Sequence, residues 1–233
     1  ILTNPEALVA LRNLERTNNL LANTQNRVST GLKVTGAIDD ASNFAIAQGI
    51  RGDIRALGAV NQGLNNAKGI AKVAIAGTTA ISDLLQTVRQ KLTELSNEGI
   101  STTQREILTN DFDQLISQAA NFIDNAVFNG VNLLDTTLVS PNINTLSNIN
   151  GGTLTLTAQD LRTTVQALGT VTPTDAAAAQ TAITTEYSNL ESVINTALGS
   201  LGAEARALEL QTAFLSEITD ATEEGLGNIV DAD

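Results

Sequence analysis

The chain has 233 residues, with 25 acidic against 13 basic side chains and a formal net charge of −12, and it contains no Cys, His, Met or Trp. The missing Cys and His exclude disulfides, zinc–thiolate sites and the commonest general base. The acidic balance argues against nucleic acid and anionic membrane as partners, since both bind basic surfaces, and no apolar run is long enough to span a bilayer. We therefore predict no enzyme, no cofactor and no metal site.

The first predicted element is a helix from Pro5 to about Val28. Proline suits a first helical turn, and Leu14, Leu21 and Val28 share one heptad seam with Ala7. A single helix of this kind is marginal in water. We therefore expect it to pack against another element or another chain.

A connector rich in Gly, Thr and Asp follows at residues 29–40, and Asp39 and Asp40 lie where the next helix begins. An unbroken heptad over residues 50–95 then predicts one helix from about 41 to 97, roughly 85 Å long at 1.5 Å per residue. One seam comprises Ile50, Leu57, Leu64, Ala71, Thr78, Leu85 and Leu92; the other comprises Val60, Ala67, Ala74, Ile81, Val88 and Leu95, with Ile46 in the same register.

Glycines recur within this long helix, although each costs about 1 kcal/mol relative to Ala in a helix interior. Gly63 and Gly77 lie off both seams. One interpretation is a helix held by tertiary packing despite its glycines. The other, which we favour, is that the face carrying Gly58, Gly63, Gly69 and Gly77 contacts neighbouring subunits.

A second amphipathic helix is predicted to return antiparallel along the first. The residues from Thr103 to Glu106 match a capping box. Apolar residues then repeat at helical spacing at Leu108, Phe112, Leu115, Ala119, Phe122 and Ala126. The Asn129-Gly130 pair that follows is a tight-turn signal between two apolar stretches.

Residues 135–182 are rich in Thr and Asn, and residues 153–157 alternate like a strand. A third long helix is predicted from about Thr184. Glu204 and Gln211 interrupt one of its seams, so that side faces solvent or a polar partner. Its seams comprise Ile194, Leu201, Leu208, Leu215, Thr222 and Ile229, and Leu190, Ala197 and Ile218.

These elements predict a mainly α fold, an elongated antiparallel helical bundle or coiled-coil rod with a small tip that contains a β-hairpin. Strand is expected only between residues 127 and 160. The residues expected to serve self-assembly or rod packing are Leu14, Leu21, Val28, Ile50, Leu57, Leu64, Leu85, Leu92, Leu201, Leu208 and Leu215.

Four segments, in order along nearly the whole chain, resemble those of bacterial flagellin. They read NRVSTGLK at 26–33, IDDASNFAIA at 38–47, VFNGV at 127–131 and GLGNIVDAD at 225–233. The chain is similar to this family everywhere except about residues 135–182.

The resemblance implies four parts. Residues 1–40 form an N-terminal inner helix and connector, and residues 41–134 form the N-terminal part of a helical rod domain that ends in a β-turn. Residues 135–182 form a short variable outer region, and residues 183–233 form the C-terminal rod helix. The family's C-terminal inner helix is lacking and is expected to follow Asp233.

By the same resemblance, the chain is expected to be a structural subunit of the flagellar filament, a helical extracellular homopolymer for motility. The implied partners are other copies of the chain, the flagellar export apparatus, a secretion chaperone and the filament cap. In some flagellins the first rod helix and its return helix are read by an innate immune receptor. The matching positions here are Arg89, Leu92 and Asp111.

Three alternatives stay open. The related hook–filament junction protein shares the helical rod and the motifs at the chain ends. A secreted, adhesin-like binding module could use the polar surface of residues 142–182. An enzyme built on paired carboxylates is formally possible, but Asp39 and Asp40 are adjacent in sequence and suit helix capping better.

Overall fold

The computed structural model describes residues 4–136 and 142–232. Residues 137–141, within the region expected to be the variable outer part, lie outside the described residues, as do 1–3 and 233. The chain is mainly α, as predicted. The described elements are α1 (Pro5–Thr30), α2 (Ala41–Leu95), α3 (Thr102–Asn125), β1 (Val127–Phe128), β2 (Val131–Asn132), β3 (Asn142–Leu146), β4 (Thr153–Thr157), α4 (Leu161–Gly169), α5 (Ala176–Ala182), a π-helical turn (Ile183–Tyr187) and α6 (Ser188–Val230).

The described residues fall into two compact units. The first contains the residues up to Ala59 together with those from Leu215 onward, and the second is Val60–Phe214. The division into four parts that the family resemblance implies stays a prediction.

Helix α2 confirms the heptad over most of its length. Every seam residue from Leu57 to Leu95 is buried, and Leu64, Ile81 and Leu92 are wholly inaccessible. Even the polar seam residue Thr78 is buried, because its hydroxyl donates to the carbonyl of Ala74 at 2.8 Å and so needs no other partner.

The seam ends near the start of α2, where the expectation for Ile46 was wrong. Ile46 is 50% exposed, Ile50 is half-buried, and Ala47 is completely buried instead. The residue one heptad after Ile46 is Asp53, whose carboxylate is expensive to bury without a partner. In this first part of α2, the heptad position that Ile46 and Asp53 share therefore faces solvent, and the neighbouring position of Ala47 faces the interior.

Helix α3 returns antiparallel to α2, as predicted. Lys91 lies 3.3 Å from Asp111, and a side chain added at Gly77 would meet α3 near Phe122. The capping box was misplaced by two residues: Ser101, rather than Thr103, is the N-cap and pairs reciprocally with Gln104. Ser101 precedes the first helical turn, so its hydroxyl is the group that reaches the free N–H of Gln104.

The first hairpin, β1–β2, turns at Asn129 and Gly130, as the sequence predicts. Both residues have positive φ, 50° and 79°, which is the requirement of a type I′ turn. After β2 the chain buries Leu133, Leu134 and Asp135. Asp135 is the charged residue of these three.

An ion-pair cluster holds α4 against the end of α3. The guanidinium of Arg162 pairs with Asp124 at the end of α3 and with the buried carboxylate of Asp135. Burial opposes the charge of Arg162, but hydrogen bonds to these two carboxylates prevail and raise the pKa of Arg162. Gly169, at the other end of α4, approaches Ile116 of α3.

The second hairpin, β3–β4, contains the predicted strand at residues 153–157 and a partner strand that the sequence did not reveal. Ile143 pairs with Leu156, and Leu156 is buried. Two contacts fasten this hairpin to α6: the N–H of Thr157 donates to Glu204 at 3.1 Å, and Gln211 donates to the carbonyl of Ser147 at 2.7 Å. The polar interruptions in the third helix therefore face a polar partner.

The third helical segment begins earlier than about Thr184. Helix α5 starts at Ala176, with Asp175 capping its N-terminus, and leads through the π-helical turn into α6. Its predicted seam is buried at Ile194, Leu201, Leu208 and Leu215, together with Leu190 and Ala197, while Ile218, Thr222 and Ile229 are half-buried.

Candidate assembly surfaces

Helix α1 has no buried residue along its 26 residues. It is nevertheless well formed locally: the side chain of Asn4 accepts the N–H groups of Glu6 and Ala7, and Gly31 ends the helix in the left-handed conformation. The apolar residues left in contact with solvent are Leu8, Val9, Leu11, Leu14, Leu20, Leu21 and Val28, each at least 50% exposed. Among the described residues, α1 therefore leaves these apolar side chains open to solvent.

The connector after α1 pairs with the end of α6. The N–H of Ala232 donates to the carbonyl of Gly31 at 2.8 Å, and the N–H of Lys33 donates to the carbonyl of Val230 at the same distance. The ammonium of Lys33 also reaches the carbonyl of Asn228, at 3.0 Å. A cation at the last turn of α6 complements the negative end of the helix dipole.

Two aspartates order the rest of the connector. The hydroxyl and the N–H of Thr35 donate to Asp39 and hold the pKa of that carboxyl below its ordinary value. Asp40 caps α2 by accepting the N–H of Asn43 at 3.0 Å, and this bond lowers the pKa of Asp40. Both aspartates thus have structural partners: Asp40 caps α2, and Asp39 binds Thr35 within the connector.

The predicted assembly and rod-packing residues divide into two groups. Leu14, Leu21 and Val28 on α1 are exposed, and Ile50 is half-buried. The rest are at most 5% exposed and are therefore packed inside the chain: Leu57, Leu64, Leu85, Leu92, Leu201, Leu208 and Leu215. Only the first group is accessible to a second copy.

The helix glycines also divide, and for two of them our interpretation was wrong. A Cβ on Gly69 would lie 2.6 Å from the ring of Phe128, and one on Gly77 would lie 2.9 Å from Leu134. The first hairpin therefore occupies the space at Gly69, and Leu134 and Ala126, which flank that hairpin, occupy the space at Gly77. Gly63 approaches only Thr145, at an ordinary 3.5 Å, and Gly58 faces open space.

Of the three residues expected to contact an immune receptor, two are accessible at the surface. Arg89 and Asp111 are exposed, whereas Leu92 is fully buried and cannot contact a partner directly. The Asp111 carboxylate raises the pKa of Lys91, 3.3 Å away. The guanidinium carbon of Arg89 stands 5.8 Å from the ring centroid of Tyr187. Recognition of this face by a receptor stays a prediction.

Tyr187 is the one tyrosine of the chain. Burial raises the pKa of its hydroxyl, and the nearby carboxylate of Glu191 raises it further. No group of His, Cys, Asp or Glu side chains among the described residues is arranged to hold a metal ion. None of the described helices combines the length and apolarity needed to cross a membrane.

Comparison with known proteins agrees with this arrangement. Residues 1–138 match the family model described as the bacterial flagellin N-terminal helical region. The chain is 36% identical over 234 residues to flagellin FljO of Caulobacter vibrioides, covering 99% of this chain and 84% of that protein. It is 32% identical over 247 residues to a flagellin of Brucella melitensis, covering 100% and 86%.

Two solved structures resemble the fold. The crystal structure of Bacillus cereus flagellin superposes with a TM-score of 0.59 at 26% identity, covering 66% of this chain and 88% of that one. A putative flagellar hook-associated protein from Vibrio parahaemolyticus gives a TM-score of 0.68 at 13% identity, covering 83% and 100%. At 13% identity the second likeness concerns the fold alone, so it does not favour the junction-protein alternative.

Proposed function

The chain belongs to the bacterial flagellin family, and from this premise we propose how its surfaces serve that role. Members of this family are structural rather than catalytic, and the chain is a structural subunit that polymerises into the flagellar filament. The proposal concerns α1. We infer that Leu14, Leu21 and Val28 are packing residues between subunits, buried only when copies assemble.

The observation that carries this proposal is that no described residue of α1 is buried. Fully burying a leucine side chain stabilises by about 1.5–3 kcal/mol, and α1 leaves Leu14, Leu21 and Val28 at 57%, 55% and 80% exposure. These residues recur every seven positions, so they form one stripe along the helix. Contact with the same helix of neighbouring subunits can bury that stripe repeatedly along a polymer.

A pair of charge substitutions tests this role. In the full-length subunit, Leu14→Asp and Leu21→Asp should each abolish filament formation, measured by sedimentation and electron microscopy. Their unfolding midpoints in urea should match that of the unchanged subunit, because neither side chain is buried among the described residues. The combination separates an assembly residue from a folding residue.

Asn18→Asp is the matched control, since it adds the same charge to the same exposed helix at a polar position. It should polymerise with a critical concentration within about threefold of the unchanged subunit, as expected for a screened surface charge. Normal filaments from Leu14→Asp and Leu21→Asp would contradict the proposal, as would unfolding of both variants.

We further propose that the filament lies outside the cell and that the subunit reaches it through the flagellar export apparatus, with a secretion chaperone and the filament cap as partners. A chain without cysteine supports this route, because no disulfide can form to prevent passage in an unfolded state. Protease treatment of intact cells tests the location: the subunit should be digested while cytoplasmic proteins survive.

A further inference from the structure

The sequence contains two Asn-Gly pairs, Asn129-Gly130 and Asn150-Gly151, and all four residues are exposed. In such a pair the backbone nitrogen of the glycine can attack the side-chain carbonyl carbon of the asparagine and close a succinimide ring. Glycine favours this attack because it has no Cβ to crowd the approach. The two pairs therefore share the same intrinsic chemistry, and their different backbone settings determine which of them can react.

The second pair lies in the loop that joins β3 to β4. The side-chain carbonyl of Asn148 accepts the N–H groups of Asn150 and Gly152, each at 2.9 Å. The N–H of Ser147 donates to the carbonyl of Gly152 at 2.8 Å and closes the loop. Between these fixed points, neither the carbonyl of Asn150 nor the N–H of Gly151 forms a hydrogen bond to any described residue.

The peptide group between Asn150 and Gly151 can therefore turn toward the asparagine side chain. The nitrogen of Gly151 reaches Cγ of Asn150 by rotation about the Cα–C bond of Asn150, and this peptide group has no hydrogen bond that the rotation must break. Gly151 has a φ of 91°, and a Cβ built there meets no atom within 4 Å. The attacking nitrogen thus lies in open space beside an exposed asparagine.

The first pair is held in an unreactive geometry. Asn129 and Gly130 form the type I′ turn between β1 and β2, with a φ of 50° at Asn129, and such a turn sets ψ at about 30° in its first central residue. At that angle the nitrogen of Gly130 lies almost opposite Cβ about the Cα–C bond, out of reach of the side-chain carbonyl. The ring of Phe128, just before the turn, lies close to Gly69 of α2. The hairpin must open before Asn129 can react.

We propose that Asn150 is a site of spontaneous modification through a succinimide formed with Gly151, and that its turn protects Asn129. Hydroxide removes the proton of the Gly151 amide, the nitrogen bonds to Cγ of Asn150, and the bond from Cγ to the side-chain nitrogen breaks to release ammonia. Water then opens the ring. Cleavage at Cγ gives an aspartyl residue, and cleavage at the backbone carbonyl carbon gives an isoaspartyl linkage. The reaction needs only this loop and water, so the inference is independent of the filament function.

The isoaspartyl product should loosen the second hairpin where it is fastened to α6. An isoaspartyl residue carries the chain through Cβ and Cγ and so lengthens the backbone between the two N–H groups that Asn148 holds. A single carbonyl oxygen then no longer matches both donors. Ser147, which binds Gly152 in the same loop, also accepts the side-chain amide of Gln211 at 2.7 Å. A change in the loop therefore reaches a contact between the hairpin and the helix.

Peptide mass spectrometry of the full-length subunit, incubated at neutral and mildly alkaline pH, tests the site. Each Asn-Gly pair is compared with an unstructured peptide of its own sequence, so that folding is the only difference. Conversion of Asn150 should proceed within about threefold of its peptide, whereas Asn129 should be slowed at least about thirtyfold, because the hairpin must open first. If folding protects Asn150 as much as Asn129, or more, the proposal is wrong.

Asn150→Gln is the matched variant, because its longer side chain must close a larger ring. Labelling by an isoaspartate-specific methyltransferase should develop at this loop in the unchanged subunit and not in the variant. Equal labelling of the two would assign the isoaspartate to another residue and overturn the site.

Hydrogen exchange tests the consequence for the hairpin. In the isoaspartyl fraction, the amide of Ser147 should exchange at least about tenfold faster than in the unmodified subunit, because its bond to Gly152 opens more often. Asn150→Asp adds the charge without lengthening the backbone and should stay within about threefold of the unmodified subunit. An unchanged Ser147 amide in the isoaspartyl fraction would overturn the proposed loosening.

Discussion

Helices α1 and α2 carry similar heptad patterns, yet the structure uses them in opposite ways. From Leu57 to Leu95 every seam residue of α2 is buried by the chain itself, whereas α1 buries none of its residues. Apolar periodicity alone therefore indicates that a helix needs a partner, without saying whether the partner is internal. Under the role proposed for α1, the difference separates the part of the subunit that is packed by the chain itself from the part that neighbouring copies would bury.

The largest difference is expected from the same substitution placed in each helix. Leu85→Asp buries a charge in the α2 seam, where Leu85 is 4% exposed, and should destabilise the subunit by about 4 kcal/mol or more. Leu57→Asp should act in the same way. Leu14→Asp on α1 should leave the free energy of unfolding unchanged within about 0.5 kcal/mol. Urea unfolding followed by circular dichroism measures all three, and equal stability of Leu85→Asp and Leu14→Asp would remove the contrast.

The self-contained part also depends on its buried ion pairs. Arg162→Ala removes the cation facing Asp135, which is 1% exposed, and should cost about 3 kcal/mol because a buried carboxylate loses its counter-charge. Asp124→Asn is the control, since Asp124 is 53% exposed and its loss should cost less than about 1 kcal/mol. Chemical denaturation of both variants provides the comparison. If the two variants lose similar amounts of stability, burial does not determine how much each carboxylate–Arg162 ion pair contributes.

Two glycines of α2 show the same contrast between internal packing and open surface, with smaller expected changes in stability. Gly77→Leu must displace Leu134 and Ala126 and should destabilise the monomer by about 1–3 kcal/mol, as overpacking does. Gly58→Ala, in open space, should stabilise it by up to about 1 kcal/mol through helix propensity. Opposite signs in thermal melts confirm that one glycine serves internal packing and the other does not. A stabilised Gly77→Leu variant would contradict the close contact of Gly77 with Leu134 and Ala126.

The smallest effect concerns the connector that links the two helices. Hydrogen bonds from Thr35 lower the pKa of Asp39 below its ordinary value of 3.8, so this contribution to stability is present above that pH and is lost as the pH falls through the lowered value. The protection of the Thr35 amide against exchange, taken relative to an unstructured peptide at the same pH, should fall below about pH 4, near the ordinary carboxyl pKa. Asp39→Asn should abolish this pH dependence of the protection, and an identical pH profile in the variant would assign it to another group.

The sequence predicted α2, α3 and α6 because their heptads are long and their partners lie within the chain. Strand β3 was missed because its residues, Asn142–Leu146, include two asparagines and depend on pairing with β4. Helix α4 was missed because its nine residues are short of a clear period. Local pattern cannot reveal elements whose stability comes from distant partners.

The candidate surfaces were predictable only in part. The seam of Leu14, Leu21 and Val28 was visible as a stripe, and its exposure required the structure. Gly77 was assigned to subunit contacts because its heptad position lies off both seams. That position says nothing of Leu134, which lies 57 residues away in sequence and fills the space beside the glycine.

Hydrogen exchange in the free full-length subunit and in the filament tests most directly whether α1 is completed by neighbouring copies. Amides of α1, from Glu6 to Thr30, should exchange rapidly in the free subunit, because no residue of α1 is buried. They should slow by at least about a hundredfold on polymerisation, as burial raises the free energy of local opening. Amides from Leu57 to Leu95 should be slow in both states. Equal exchange of α1 in the two states would contradict its role as the helix that neighbouring subunits bury.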